Sequence, residues 1–246
     1  MVDAAIRGAA EQQLTTAAET NFVSNPPDRI SCLMPKTPAN NPLQSGYLVT
    51  LVQELANEEA QGPVRAAAGI ALKNAFTARE YARLHDLQEK WIQQDPDTKK
   101  RVKDLTLQSL ASNNAQAGQA AAQVVASIAA IELPREQWPE LMPSLVRNVG
   151  EGGDHLKQAS LTTIGFICES QDADLRASLV QHSNAILTAV VQGARKEELN
   201  PEVRLAAIYA LGDSLEFVDS NFKNEGERNY IMQVICEATQ AEDSRI

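Results

Sequence analysis

Three histidines, three cysteines, a glycine-rich run and one acidic stretch are where this chain could bind a metal or a phosphate or carry acid–base chemistry. A structural or catalytic metal needs His or Cys pairs at short spacing, such as i and i+4 on a helix. His85, His155 and His182 stand apart, with no second His at i+4 and no Cys nearby. Cys32, Cys168 and Cys236 form no CxxC pair, and their odd number signals neither a disulfide framework nor a zinc site, so a reducing compartment is the default. Gly150-Glu151-Gly152-Gly153 lacks the Lys-Ser/Thr ending and the preceding strand of a phosphate loop and reads as a turn. Glu169, Asp172 and Asp174 fit a loop before a helix better than an acid–base pair, because nothing marks a pocket around them. No catalytic residue, metal ligand or cofactor is predicted, and the chain is read as no enzyme.

The elements that hold these residues are helical. Only 4% of the chain is aromatic, β-branched runs with period-two alternation are scarce, and Ala, Leu, Gln and Glu dominate. Stacked helix pairs joined through small residues need no single large core, so composition points to an all-α solenoid. The net charge of −10 argues against a nucleic-acid surface, and favours basic protein partners or simply solubility. There is no apolar run behind a basic start in the first 30 residues, and no segment approaches the ~18 apolar residues of a membrane span. A soluble, unsecreted chain with no membrane insertion is expected.

One pattern recurs: a β-branched residue, Arg, any residue, Ala-Ala, then Leu. The copies are Ile6-Arg7-Gly8-Ala9-Ala10 with Leu14, Val64-Arg65-Ala66-Ala67-Ala68 with Leu72, and Val203-Arg204-Leu205-Ala206-Ala207 with Leu211. Weaker copies begin near Gln119-Ala120-Ala121 and Leu156-Lys157-Gln158-Ala159-Ser160. In each, the small residues and the leucine share one helix face with the β-branched residue, and that face is predicted to be buried. Between copies lie intervening helices, predicted at Tyr47 to Glu58, Lys99 to Ala111, Trp138 to Val149, Ser183 to Arg195 and Glu227 to Thr239. Pro63 and Pro201 mark helix starts, and Gly150, Gly152 and Gly153 a helix end. The unit is a helical hairpin, and Ala67, Ala120, Ala159 and Ala206 recur near the period of HEAT and armadillo arrays, with one long inter-helix insertion, Ala78 to Asp97, carrying Trp91.

From about Gly46 to Ile246 the chain resembles the N-terminal part of the importin-β family of karyopherins. The stretches that carry the resemblance are Gly69-Ile70-Ala71-Leu72-Lys73-Asn74, Ile131-Glu132-Leu133-Pro134, Gln137-Trp138-Pro139-Glu140-Leu141, Ile164-Gly165-Phe166-Ile167-Cys168-Glu169, Ile186 to Gly193 and Glu225 to Gln240. The resemblance implies a right-handed α-solenoid of HEAT repeats and a nuclear transport receptor that shuttles between cytoplasm and nucleus through the nuclear pore. It implies that the small GTPase Ran, in its GTP form, sits on the concave face near Lys73 and Arg79, where Arg79 replaces the family's usual Lys. Phe-Gly nucleoporins are implied on the convex face, at Leu187, Thr188 and Val191 on one intervening helix and Glu227, Tyr230 and Ile231 on the next. Importin-α and its cargo would engage only later repeats. Leu187 and Val191 are i, i+4 neighbours, so two such stripes side by side would leave an apolar groove for a Phe ring. Without the resemblance, Lys73 and Arg79 read as solvated helix-end cations, the apolar residues as packing between repeats, and the chain as a HEAT scaffold such as a phosphatase regulatory subunit.

Residues 1–22 read as the second helix of a truncated first repeat, and 46–246 as repeats two to five with the start of a sixth. Residues 23–45 read as a disordered insertion, since Pro26, Pro27, Pro35, Pro38 and Pro42 exclude a continuous helix. Removing residues 23–44 brings the first two copies of the pattern to ordinary repeat spacing. Val23-Ser24 can be encoded by GTAAGT, Ala39-Asn40 by GCTAAC and Gln44 by CAG, so the stretch is read as a translated intron, with a genuine loop as the alternative. The uncapped ends predict a fragment of a longer solenoid.

Overall fold

Proline and capping residues start the helices where the sequence pattern places them. The computed structural model describes residues 45–243 and 245–246, so the readings of 1–22 and 23–45 lie outside the described residues except at Ser45, which opens a helix. Among the described residues the regular elements are all helical. In chain order they are α1 (Ser45–Ala56), α2 (Gly62–Asn74), α3 (Tyr81–Ile92), α4 (Pro96–Ser109), α5 (Ala115–Glu132), α6 (Leu141–Glu151), α7 (Asp154–Cys168), α8 (Ala173–Leu179), α9 (Ser183–Ala194), α10 (Pro201–Ser214), α11 (Asp219–Lys223) and α12 (Glu225–Ala238). Proline occupies the first turn of α2, α4 and α10, where its missing N–H costs no helical bond. Asp95, Asn114, Asp172, Asn200 and Asn224 cap their helices by accepting backbone N–H bonds. Asp172 is therefore a helix cap, in keeping with the loop reading of the acidic stretch.

α1 packs on α2, α4 on α5, α6 on α7 and α9 on α10, which makes four helical hairpins. The helices carrying the repeated pattern, α2, α5, α7 and α10, then stack on one another in order. The intervening helices form the second layer, where α1 packs on α4, α6 on α9 and α9 on α12. This is the all-α solenoid of HEAT-type hairpins that the repeat predicted.

The first layer is tight because its contact residues are small. A Cβ built on Gly69 of α2 would lie 2.6 Å from the Cβ of Ala120 on α5. The repeat arginine has a role that helix periodicity does not reveal. Arg65 is buried, its Nε donates to Leu55 O at 2.8 Å, and its terminal nitrogens grip the Glu58 carboxylate, each at 2.8 Å. It thus satisfies an orphan carbonyl at the end of α1 and fastens the two arms of that hairpin together.

Two expected boundaries shift. The insertion Ala78 to Asp97 contains a helix of its own, α3, anchored by buried Leu87 and Trp91 at i, i+4. The helix expected from Trp138 begins at Leu141 instead, because Pro139 disfavours helical geometry at the residue before it. Trp138 is buried just ahead of α6.

Candidate functional site

Lys73 lies in the last turn of α2, where a cation complements the negative end of the helix dipole. Its carbonyl accepts from Phe76 N at 2.9 Å, and Phe76 meets the Trp91 ring edge-on with centroids 4.9 Å apart. That contact pins the α2–α3 loop, which presents exposed Arg79. Neither the Lys73 nor the Arg79 side chain has a hydrogen-bond or ion-pair partner among the described residues. In a chain of net charge −10, they are two unpartnered cations flanking one loop, with exposed Glu80 directly after Arg79.

The second candidate is the α9–α12 contact. The six residues implied there fall into two groups. Leu187, Val191 and Ile231 are 8%, 6% and 1% exposed and serve the packing between helices. Thr188, Glu227 and Tyr230 are exposed, Tyr230 by 44%. Thr188 Oγ1 donates to Asn184 O at 2.7 Å, and its side faces α6 as part of a separate groove. Buried Asn221 of α11 was not anticipated: its Nδ2 donates to Asn184 Oδ1 at 2.8 Å and to Glu227 Oε2 at 2.6 Å, tying α9 to α12. Asn224 Nδ2 also donates to Glu227, at 2.9 Å, so the carboxylate is held by two amides. The Asn224-to-Glu227 spacing is that of a capping box, a signal available in the sequence.

A third cluster was missed altogether. Glu132, fully buried at the end of α5, accepts from Trp91 Nε1 at 3.0 Å and from Lys103 Nζ at 2.8 Å, with Lys99 Nζ at 3.5 Å. Lys99 lies 5.7 Å from the Trp91 ring centre and Lys103 5.0 Å from that of Trp138. The arrangement joins α3, α4, α5 and the α6 approach, with both lysines on the one Glu132 carboxylate and each also against an indole ring, which marks it as structural.

Among the described residues no group of three or more His, Cys, Asp or Glu is placed to hold a metal ion. Cys168 is buried, and burial, with the nearby Asp213 charge adding to it, pushes its thiol up to about 12. No described helix is long and apolar enough to cross a membrane.

Comparison with known proteins follows the same lines. The chain is 53% identical over 245 residues to importin subunit beta-1 of Schizosaccharomyces pombe, covering 99% of this chain and 26% of that protein. A crystal structure of importin beta matches 100% of this chain and 26% of its own, with 68% identity and a TM-score of 0.77. Kap95p, 41% identical over 91% of this chain with a TM-score of 0.78, comes from a structure described as one in which its binding induces the switch loops of RanGDP to adopt the GTP-bound conformation. The chain spans about a quarter of the length of these relatives. No family model matches it.

Proposed function

The chain belongs to the importin-β family, and from that premise we propose that it is part of a nuclear transport receptor binding Ran-GTP through one helix layer and Phe-Gly nucleoporins through the other. The observation that carries the reading is the match along the whole chain, in sequence and in fold, to solved importin beta. Residues 46–246 supply repeats two to five and the start of a sixth. Shuttling of the whole receptor between cytoplasm and nucleus through the pore follows from the same premise.

Ran is assigned to the α2–α3 loop through Lys73 and Arg79. Support comes from their lack of partners among the described residues and from the behaviour described for Kap95p. Nucleoporin binding is assigned to α9 and α12, where exposed Glu227 and Tyr230 would rim a contact floored by Leu187, Val191 and Ile231, with Thr188 on the opposite side of α9 toward α6. One buried Phe contributes about 1.5–3 kcal/mol, too little for a lasting complex once association costs are met. Successive weak motifs then give avidity while each contact breaks quickly, which suits transit.

The test is capture of Ran loaded with GTP or GDP by the full chain and by a Lys73→Glu, Arg79→Glu variant. Selective capture of the GTP form, weakened about tenfold or more by the double reversal, is expected for two lost charge contacts. Failure to capture either form refutes the Ran assignment.

A further inference from the structure

The repeated arginine is clamped in one hairpin and unclamped in another. Arg65 and Arg204 hold the same place in the Val-Arg pattern, and the chain before each offers the same partners. Leu55 and Ala194 precede them by 10 positions, and Glu58 and Glu197 by 7. Arg65 uses both: its Nε donates to Leu55 O and its terminal nitrogens hold the Glu58 carboxylate, all at 2.8 Å. Arg204 uses neither. Its Nε is buried with no hydrogen-bond partner, and no ion pair reaches its guanidinium among the described residues. A buried N–H left without an acceptor is rare and costly.

The cause lies in the turn before it. α9 ends at Ala194, and Arg195 leaves the helix in extended conformation, at φ −61° and ψ 152°. The turn bond then runs from Glu198 N to Arg195 O at 3.1 Å, whereas after α1 it runs from Ala60 N to Asn57 O, one position later in register. Arg195 Nε donates to Glu197 Oε2 at 3.2 Å and so holds the carboxylate that matches Glu58. In the first hairpin the position matching Arg195 is Ala56, which has no charge to compete with. Two neighbouring acids are already engaged, Glu198 by Lys157 at 2.9 Å and Glu202 by Arg245 at 2.6 Å. Glu197 is thus the carboxylate in register for Arg204, and its present pair is weak, with Arg195 44% and Glu197 56% exposed.

We propose that Arg195 and Arg204 compete for Glu197, so that the α9–α10 hairpin has two states. In the state described, Arg195 holds Glu197 and the clamp is open. In the other, Glu197 turns to the guanidinium of Arg204, whose Nε donates to Ala194 O as Arg65 does to Leu55 O, and Arg195 is released to solvent. The exchange replaces one exposed pair with charge-assisted bonds that satisfy a buried donor, so a small inducement suffices. An acidic group that draws Arg195 away provides it and stiffens the hairpin. Lys196, next to Arg195 in the same turn, pairs with Glu237 of α12 at 3.2 Å, so the change is placed to reach α12 as well.

Arg195→Ala in the full chain stands in for such an acidic group, and hydrogen exchange of residues 195–200, read by mass spectrometry, reports the clamp. Protection there is expected to rise about tenfold over the parent once Glu197 passes to Arg204. Arg195→Gln, which keeps a long polar side chain, should act in the same way. Adding Glu197→Gln to Arg195→Ala should remove the gain, and so should adding Arg204→Lys, which keeps the charge but lacks the fork. Made singly in the parent, Glu197→Gln and Arg204→Lys should each change protection by less than about threefold, and the non-additivity measures the competition. Protection that does not rise in either Arg195 variant, or a rise that survives Arg204→Lys, overturns it.

Discussion

Replacing Glu132 with Gln tests whether the buried charge cluster holds the α3 insertion in place. Gln keeps the volume and an acceptor for the Trp91 indole, so the change isolates the negative charge. What remains is a pair of ammonium groups, on side chains only 15% exposed, facing a neutral amide. Breaking a buried ion pair costs about 3–5 kcal/mol. The long lysine stems can turn partly toward water, and each ammonium retains an indole face worth about 0.5–2 kcal/mol, so the low end applies, about 3 kcal/mol. For a chain of this size that corresponds to a fall in Tm of roughly 6–12 °C. The assay is built in: Trp91 and Trp138 are the chain's 2 tryptophans, and both border the cluster. Intrinsic emission therefore reports this spot while circular dichroism reports all helices. Loss of the charge should move the emission transition first, since solenoid segments open semi-independently. If Glu132→Gln melts within about 1 °C of the parent by both signals, the charge cluster contributes no net stability, a result well outside the range for buried pairs.

Arg65→Ala removes the donor to Leu55 O and the grip on Glu58, and should cost about 2–4 kcal/mol in urea unfolding, with Arg65→Lys recovering less than half. The Arg65 hydrogen bond holds the Glu58 carboxylate below its usual range. A depressed carboxylate stabilises above its unfolded pKa of about 4.3, and this is lost as pH falls through the folded value, so the gap between parent and Arg65→Ala should narrow in acid. Gly69→Ala forces a Cβ to 2.6 Å from Ala120 Cβ and should destabilise by about 1–3 kcal/mol despite the better helix propensity of alanine; a raised Tm refutes the close-contact reading. At pH 8, iodoacetamide should label exposed Cys236 and spare Cys168, whose thiol at about 12 leaves about a thousandfold less thiolate. Equal native labelling of the two, read by peptide mass mapping, refutes that protection.

The hairpins were legible because their signals are local. Pro63, Pro201 and the Val-Arg pattern each act within one helical turn, and helix starts followed them. The Glu132 cluster was not, since Lys103 and Trp91 lie 29 and 41 positions from the carboxylate, and only the stacking of α3, α4 and α5 brings them together. The repeat pattern names Arg65 but no partner for it, whereas it reaches back 10 and 7 positions, to Leu55 in the last turn of α1 and to Glu58 just beyond it. At α9 the difficulty is of another kind. A helix apolar around most of its surface must be buried, so Leu187 and Val191 satisfy the spacing of a binding stripe and the demands of packing at once. Spacing alone could not say that Thr188 faces α6.

The two layers differ in what their contact residues permit. In the pattern-bearing layer, Gly69 meets Ala120 and the helices approach as closely as backbones allow. In the intervening layer the helices leave open grooves between them. Both described grooves fall there: the one between α6 and α9, and another of about 600 Å³ between α1 and α4. The second is lined by Asp97, Lys100, Arg101 and Asp104, two charges of each sign, against one of each, Arg147 and Glu151, in the groove beside α9. Small residues in one layer thus fix the spacing that opens grooves in the other, and the side chains at each groove decide what it can hold. If that is so, enlarging a contact between the two layers should narrow no groove directly but should spread the hairpins and alter binding in the intervening layer. Gly193 provides the case: on α9 itself, a Cβ there would lie 2.7 Å from Leu161 Cδ1 on α7 and 3.0 Å from Ala207 Cβ on α10. Gly193→Ala should therefore push α9 away from α7 and α10 and weaken cross-linking of α9 and α12 to a Phe-Gly peptide carrying benzoylphenylalanine, while leaving Tyr230 itself unchanged. Cross-linking that persists at parental levels on α9 and α12 would show that their contact does not depend on that spacing.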